Sequence, residues 1–210
     1  MRASRQSAFT LLELLSVITV IGILAALIFP AVRSARVSAH KARTKVQFSQ
    51  WSAALEGFRS EYGFYPAFDP TALVNGGAST AITGDHLFHD ILAGRKRDGT
   101  PLQAGGAAEA QNRKLISFYS FSDADFTNAS SPTPNLLRDA FDNTEIAVLV
   151  DKDLDGVIRI GSDYPALPAV GGLTPSVADF PVTGVRAGVL FYVPAPGADA
   201  ANPDFIFSWK

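Results

Sequence analysis

The sequence predicts an α+β fold, with one long N-terminal helix followed by an antiparallel β-sheet. Three observations point to it. An apolar run, "AFTLLELLSVITVIGILAALIFP", begins at Ala8. Aromatic and aliphatic residues at helical spacing continue from it to Tyr62. Beyond Gly63 the chain is punctuated by Gly and Pro and carries short segments rich in β-branched and aromatic residues. Helix first and strands later is the order of a helix packed on one face of a sheet.

Phe9 to Pro30 is 22 residues with Glu13 as the only formal charge. As a helix it spans about 33 Å, the thickness of a bilayer core. Trp51, Leu55, Phe58 and Tyr62 then step by four, three and four, which is one helix face. Gly63 stops the helix and Pro66 cannot extend it. A single helix over 9–62 is expected, kinked or locally melted near Gly22 or Pro30. Its front half is expected in a membrane, and its back half on a globular domain.

Residues 67–114 read as loops around a short helix in "GDHLFHDILAG", with Asp85 as N-cap and Gly94 as stop. His86 and His89 stand three apart and can share a metal on one face. No Cys and no third His nearby supports them, so they read as helix-surface residues. Strands are expected at 114–121, 145–151, 156–161, 187–194 and 204–210, the second and third joined by a tight turn.

The 210 residues suit one domain plus an appendage. With no cysteines there are no disulfides, no thiol chemistry and no Cys-based metal site. The net charge of −2 carries no concentrated basic face, so no nucleic-acid partner is expected. No nucleophile motif and no glycine-rich phosphate loop is present, so the chain does not read as an enzyme. "NAS" at Asn128 matches a glycosylation sequon, a match common by chance.

Three readings of the N-terminus compete. A cleaved secretory signal has a suitably basic leader in "MRASRQS". Its apolar run is long, however, and Arg33, Arg36 and Lys41 crowd the small residues beyond. A plain signal anchor fits the length. Neither accounts for Glu13, because a carboxylate at that depth is costly and normally has a partner.

The third reading is a resemblance. "SAFTLLELLSVITVIGILAALIFPAV" closely resembles the N-terminus of type IV pilin-like proteins, which include the pilins and the pseudopilins of type II secretion. The shared pattern is a basic leader, a small residue, Phe, Thr, two apolar residues, Glu and an apolar run. Ala8, Phe9, Thr10, Leu11, Leu12 and Glu13 occupy it, with Ala8 where the family usually has Gly. The resemblance implies cleavage by prepilin peptidase between Ala8 and Phe9 and N-methylation of Phe9. It implies a leader at 1–8, a transmembrane and filament-core helix at 9–30, its amphipathic continuation at 31–62, and a periplasmic α+β domain at 63–210.

The same resemblance gives Glu13 a role in assembly. Cleavage creates a cationic amine at Phe9, and Glu13 follows within the first turns, where a carboxylate suits the helix dipole. In a filament, Glu13 of one subunit can meet the Phe9 amine of a neighbour. In a dry bundle that pairing is far better than leaving either charge alone. Implied partners are further copies of the chain, other pseudopilins, the peptidase, an inner-membrane assembly platform and the membrane itself. The implied location is a single pass through the inner membrane. Arg33, Arg36, Lys41, Arg43 and Lys45 follow the span and outnumber the basic residues of the leader, so a simple positive-inside count favours the opposite orientation.

"EYGFYPAFDP" resembles the end of the long helix in major pseudopilins. "RDAFDN" partly resembles the Asp-Pro-Trp-Gly-Asn turn of many pseudopilins, with Ala140, Phe141 and Asp142 where Pro, Trp and Gly would stand. A type II secretion major pseudopilin is therefore the expected role. A type IV pilus pilin or a minor subunit is the close alternative. A membrane-anchored periplasmic binding or carbohydrate-active domain, and a periplasmic enzyme released by signal peptidase, are alternatives of a different class.

"DKDLDG" places Asp151, Asp153 and Asp155 at alternate positions before Gly156, as in the opening of a calcium loop. An EF-hand needs Glu at its twelfth position, where Ser162 stands with Asp163 one beyond, and the entering segment reads as a strand. Two readings remain level: a hairpin loop that holds calcium weakly, and a metal-free Asp/Gly turn. Major pseudopilins bind calcium in their C-terminal β region, so the resemblance makes calcium the one candidate cofactor.

Overall fold

Helix α1 runs from Leu11 to Tyr62, 52 residues, in a computed structural model that describes residues 11–68, 70–76, 84–127 and 136–210. It passes unbroken through Gly22 and Pro30, so the expected local melting is absent. Pro30 removes one N–H from the ladder, while the turns on either side keep their own i→i−4 bonds. Gly63 ends the helix at φ +82°, and its N–H donates to the Arg59 carbonyl at 2.7 Å.

The chain divides into two units, Met1–His40 and Lys41–Lys210. In the first, the described part is the front of α1. Leu11, Leu12, Ile18, Ile21 and Phe29 are all more than half exposed there. This stretch is long and apolar enough to cross a membrane, and none of its apolar window is buried.

The second unit has a core built around the back of α1. Phe48, Trp51, Leu55 and Phe58 are fully buried, and Tyr62 packs at the edge. The spacing predicted the stripe from Trp51 onward, and Phe48 extends it by one turn. Strands β1 (Ala147–Val150), β2 (Val189–Pro194) and β3 (Phe205–Phe207) form an antiparallel sheet in the order β1-β2-β3. Val150 stands opposite Val189, and Tyr192 opposite Phe207.

Alternation along the strands serves two cores. Val148, Val150, Phe191 and Val193 join the α1 stripe, where the Phe48 and Phe191 rings stack at 5.3 Å. Leu149, Leu190 and Tyr192 face a second cluster with Ile158, Tyr164, Val170 and Phe180. Both faces are covered, which is why these strands read as continuous apolar runs. The expected α+β architecture, a long helix and a small antiparallel sheet, is thus observed.

Two expected strands are not formed. "KLISFYSF" (114–121) is irregular: Leu115 has φ +53°, and the Phe118 and Tyr119 amides both donate to the Leu92 carbonyl. Its alternating aromatics pack Phe118, Tyr119 and Phe121 onto the core without a strand edge to pair with. "GVIRIG" (156–161) contributes only isolated bridges, Ile158 with Val185 and Ile160 with Tyr164, and no hairpin to β1. The strand that pairs with β1 is β2, far along the chain.

The short helix α2 is Leu87–Ala93, closed by Gly94 at φ +68° as expected. His86, not Asp85, is its N-cap, and its N–H donates to the Asp90 carboxylate at 3.2 Å. A further short helix, α3, is Ala107–Gln111. Cutting Trp51 to Ala removes the centre of the aromatic cluster and is expected to cost about 3–5 kcal/mol. Urea unfolding of the detergent-solubilised chain, followed by a lowered midpoint at unchanged slope, checks it.

Candidate functional site

Glu13 lies in the first turn of α1 as described, near the start of the exposed apolar stretch. Ser16 Oγ donates to its carbonyl at 2.9 Å, and Thr19 Oγ1 to that of Leu15 at 2.8 Å, so these hydroxyls are satisfied inside the helix. Ala8, Phe9 and the sequon at Asn128 lie outside the described residues.

The acidic loop follows β1 directly. Asp151 is 1% exposed and its N–H donates to the Gly188 carbonyl at 2.9 Å, one step beyond the Val150–Val189 pair. Its Oδ2 accepts from the Gly156 amide at 2.7 Å. Its Oδ1 is buried without a hydrogen-bond partner. Asp153 Oδ1 accepts from the Asp155 amide at 3.2 Å, and Asp155 Oδ1 from the Val157 amide at 2.8 Å. Leu154 and Gly156 take left-handed backbone, φ +63° and +84°, which turns the loop back on itself.

One carboxylate oxygen from each of Asp151, Asp153 and Asp155 lies within 4.8 Å of the others. Calcium–oxygen distances of about 2.3–2.6 Å allow two ligands of one ion to stand roughly 5 Å apart, so the three fit around one cation. The unpaired, buried Oδ1 of Asp151 is the stronger sign, because an orphan acceptor is costly unless something supplies positive charge. The hydrogen bond from the Asp155 amide lowers the Asp153 carboxyl, yet desolvation, a hydrogen bond with the Asp151 side chain and the charges of Asp155 and Asp163 outweigh it and leave its pKa raised. Against a metal stands Arg159, whose guanidinium bonds Asp155 and holds that carboxyl below its usual range. A cation there must share Asp155 with Arg159 or displace it.

The loop's organiser is Asp163, which sequence reasoning noted only as a misplaced EF-hand ligand. It is 4% exposed, and its two oxygens accept from the Lys152 and Arg159 amides at 2.9 and 2.8 Å. Carboxylates therefore take the amides of Lys152, Gly156, Val157 and Arg159, while β1 is bonded along its edges by β2 and residues 72–74, so 156–161 forms no hairpin with it. The signal in the sequence was a second acid at the far end of the same short loop.

His86 and His89 are buried, at 4% and 6% exposure, contrary to the expected surface position. His89 Nδ1 lies 2.9 Å from the buried Asp90 Oδ1, and its ring packs 4.7 Å from Phe121. Phe121 and Phe126, which pack against its ring, account for the burial of His89. Among the described residues, the two histidines are not part of any cluster able to hold a metal.

Residues 3–29 match the prokaryotic N-terminal methylation motif. No curated protein and no solved structure matches the chain. The motif supports a type IV pilin-like protein that prepilin peptidase processes, anchored by an apolar N-terminal helix. It points to a structural subunit rather than an enzyme.

The orphan oxygen separates two states of the loop. Asp151→Asn keeps an acceptor for the Gly156 amide and removes the charge. The expected outcome is an unchanged thermal midpoint in chelator and loss of any calcium-induced rise. Differential scanning calorimetry of the full chain with and without millimolar calcium reads both.

Proposed function

We propose that this chain is a structural subunit of a periplasmic pseudopilus in a type II secretion-like system. In this reading it is made as a precursor, cut between Ala8 and Phe9, methylated on Phe9, and assembled through the front of α1. The observation that carries it is the motif match over 3–29, together with a 52-residue helix whose front carries exposed apolar side chains over its described residues. The leader is 1–8, the membrane and filament segment 9–30, its continuation 31–62, and the periplasmic domain 63–210. Support for a secretion pseudopilus over a surface pilus comes from the "GFYP" helix end, the cysteine-free composition and the acidic loop after β1.

Assembly rests on Glu13 meeting the Phe9 amine of an adjacent copy, with apolar packing supplying adhesion. Calcium is held by Asp151, Asp153 and Asp155, with backbone carbonyls or water completing its oxygen shell. The ion neutralises the buried Asp151 and ties the loop to the end of β1. Further partners are other pseudopilins and an inner-membrane assembly platform.

The N-terminal residue and mass of the mature chain from membranes test the reading first. N-methyl-Phe9 is the expected start, and a chain starting at Met1 or beyond Pro30 overturns it. Glu13→Ala is expected to insert in the membrane normally and to be lost from sheared or cross-linked filaments. Deleting the gene is expected to stop export of folded proteins while leaving surface pili intact. The reverse phenotype would assign the chain to a surface pilus.

A further inference from the structure

The end of α1 and the acidic loop meet at one glycine. Gly188 precedes β2 and accepts the Asp151 N–H on its carbonyl at 2.9 Å. A Cβ at position 188 would collide with Tyr65 Oη and Glu56 Oε1, so the backbone there is in direct contact with both groups. Tyr65 is 6% exposed and donates its hydroxyl hydrogen to Glu56 Oε1 at 2.6 Å. Arg59 Nη1 donates to Tyr65 Oη at 3.2 Å, lies 3.7 Å from Glu56 Oε2, and places its guanidinium 5.1 Å from the Tyr65 ring centre. Burial and the Glu56 hydrogen bond push the Tyr65 phenol up to about 12, so it keeps its proton across the physiological range.

We propose that the Glu56–Arg59–Tyr65 cluster positions the calcium loop, by seating the Gly188 backbone on which Asp151 hangs. This inference rests on the calcium reading above and adds residues to it. Asp151 is held at two points, its amide by Gly188 and its Oδ2 by Gly156, and these leave Oδ1 as the oxygen available to a cation. Shifting Gly188 moves the Asp151 peptide, and the carboxylate moves with it. Groups that hold a ligand in place from outside the coordination shell commonly govern affinity as strongly as they govern geometry.

Linkage makes the effect reciprocal. If the cluster favours the calcium-competent loop, calcium favours the closed cluster. Glu56 and Arg59 belong to α1, and Tyr65 follows its last residue closely. Calcium thereby steadies the end of the helix whose front is the assembly element.

The test uses full-length protein in detergent and calcium chloride as the titrant. Isothermal calorimetry compares the wild type with Tyr65→Phe, Gly188→Ala and Asp153→Asn. Tyr65→Phe keeps the ring and loses the hydroxyl, and is expected to weaken calcium binding by about tenfold, the low end for outer-shell partners. A purely structural role would lower the thermal midpoint equally with and without calcium. The positioning role makes the calcium-induced rise smaller in Tyr65→Phe than in the wild type. Hydrogen exchange is expected to slow on calcium addition at residues 60–65 as well as 151–157 in the wild type, and only at 151–157 in the variant. Wild-type affinity in both Tyr65→Phe and Gly188→Ala overturns the positioning role and leaves the calcium site standing. No uptake by the wild type at millimolar calcium removes the site and the positioning role together.

Discussion

The packing of the α1 stripe on β1 and β2 is the interaction on which the rest of the domain depends. The strands are short, four, six and three residues, and a sheet this small has little stability of its own. Phe48, Trp51, Leu55 and Phe58 give it a face to bury, and the aromatic contacts of Trp51 with Phe88 and Phe191 tie α2 into the same core. Because α1 ends at Tyr62 against this core, the chain returns with Tyr65 beside Gly188. The position of the acidic loop thus follows from the packing of the helix.

Within the loop, side chains do the work that a ladder does elsewhere. Asp151, Asp155 and Asp163 accept backbone amides that would otherwise pair with a neighbouring strand. This keeps the turn compact without a hairpin and concentrates negative charge at the end of β1. The arrangement leaves one buried oxygen, Asp151 Oδ1, without a hydrogen-bond partner.

The front of α1 obeys a different rule. Its described leucines and isoleucines are exposed within their own unit, an apolar surface of the kind that marks a membrane or protein contact. The matched methylation motif at 3–29 accords with this.

How much was legible depended on whether the cause was local. The helix, its stop at Gly63, the α+β order and the motif around Glu13 were all readable, because period, punctuation and a short linear pattern are properties of neighbouring residues. Asp151, Asp153 and Asp155 were readable as a set for the same reason. The strand at 114–121, the hairpin at 156–161 and the surface histidines were misread, because each depended on which edge or core lay nearby. A strand needs an unpaired neighbour, and β1 is bonded on one edge by β2 and on the other by residues 72–74, where Val74 N–H donates to the Ile146 carbonyl and Val148 N–H to that of Ala72. By itself the sequence determined the long helix, the leader pattern and the acidic spacing. Tertiary structure alone decided that Asp151 is buried with a free oxygen and that Tyr65 sits on Gly188, since both follow from close contact between segments distant in the chain.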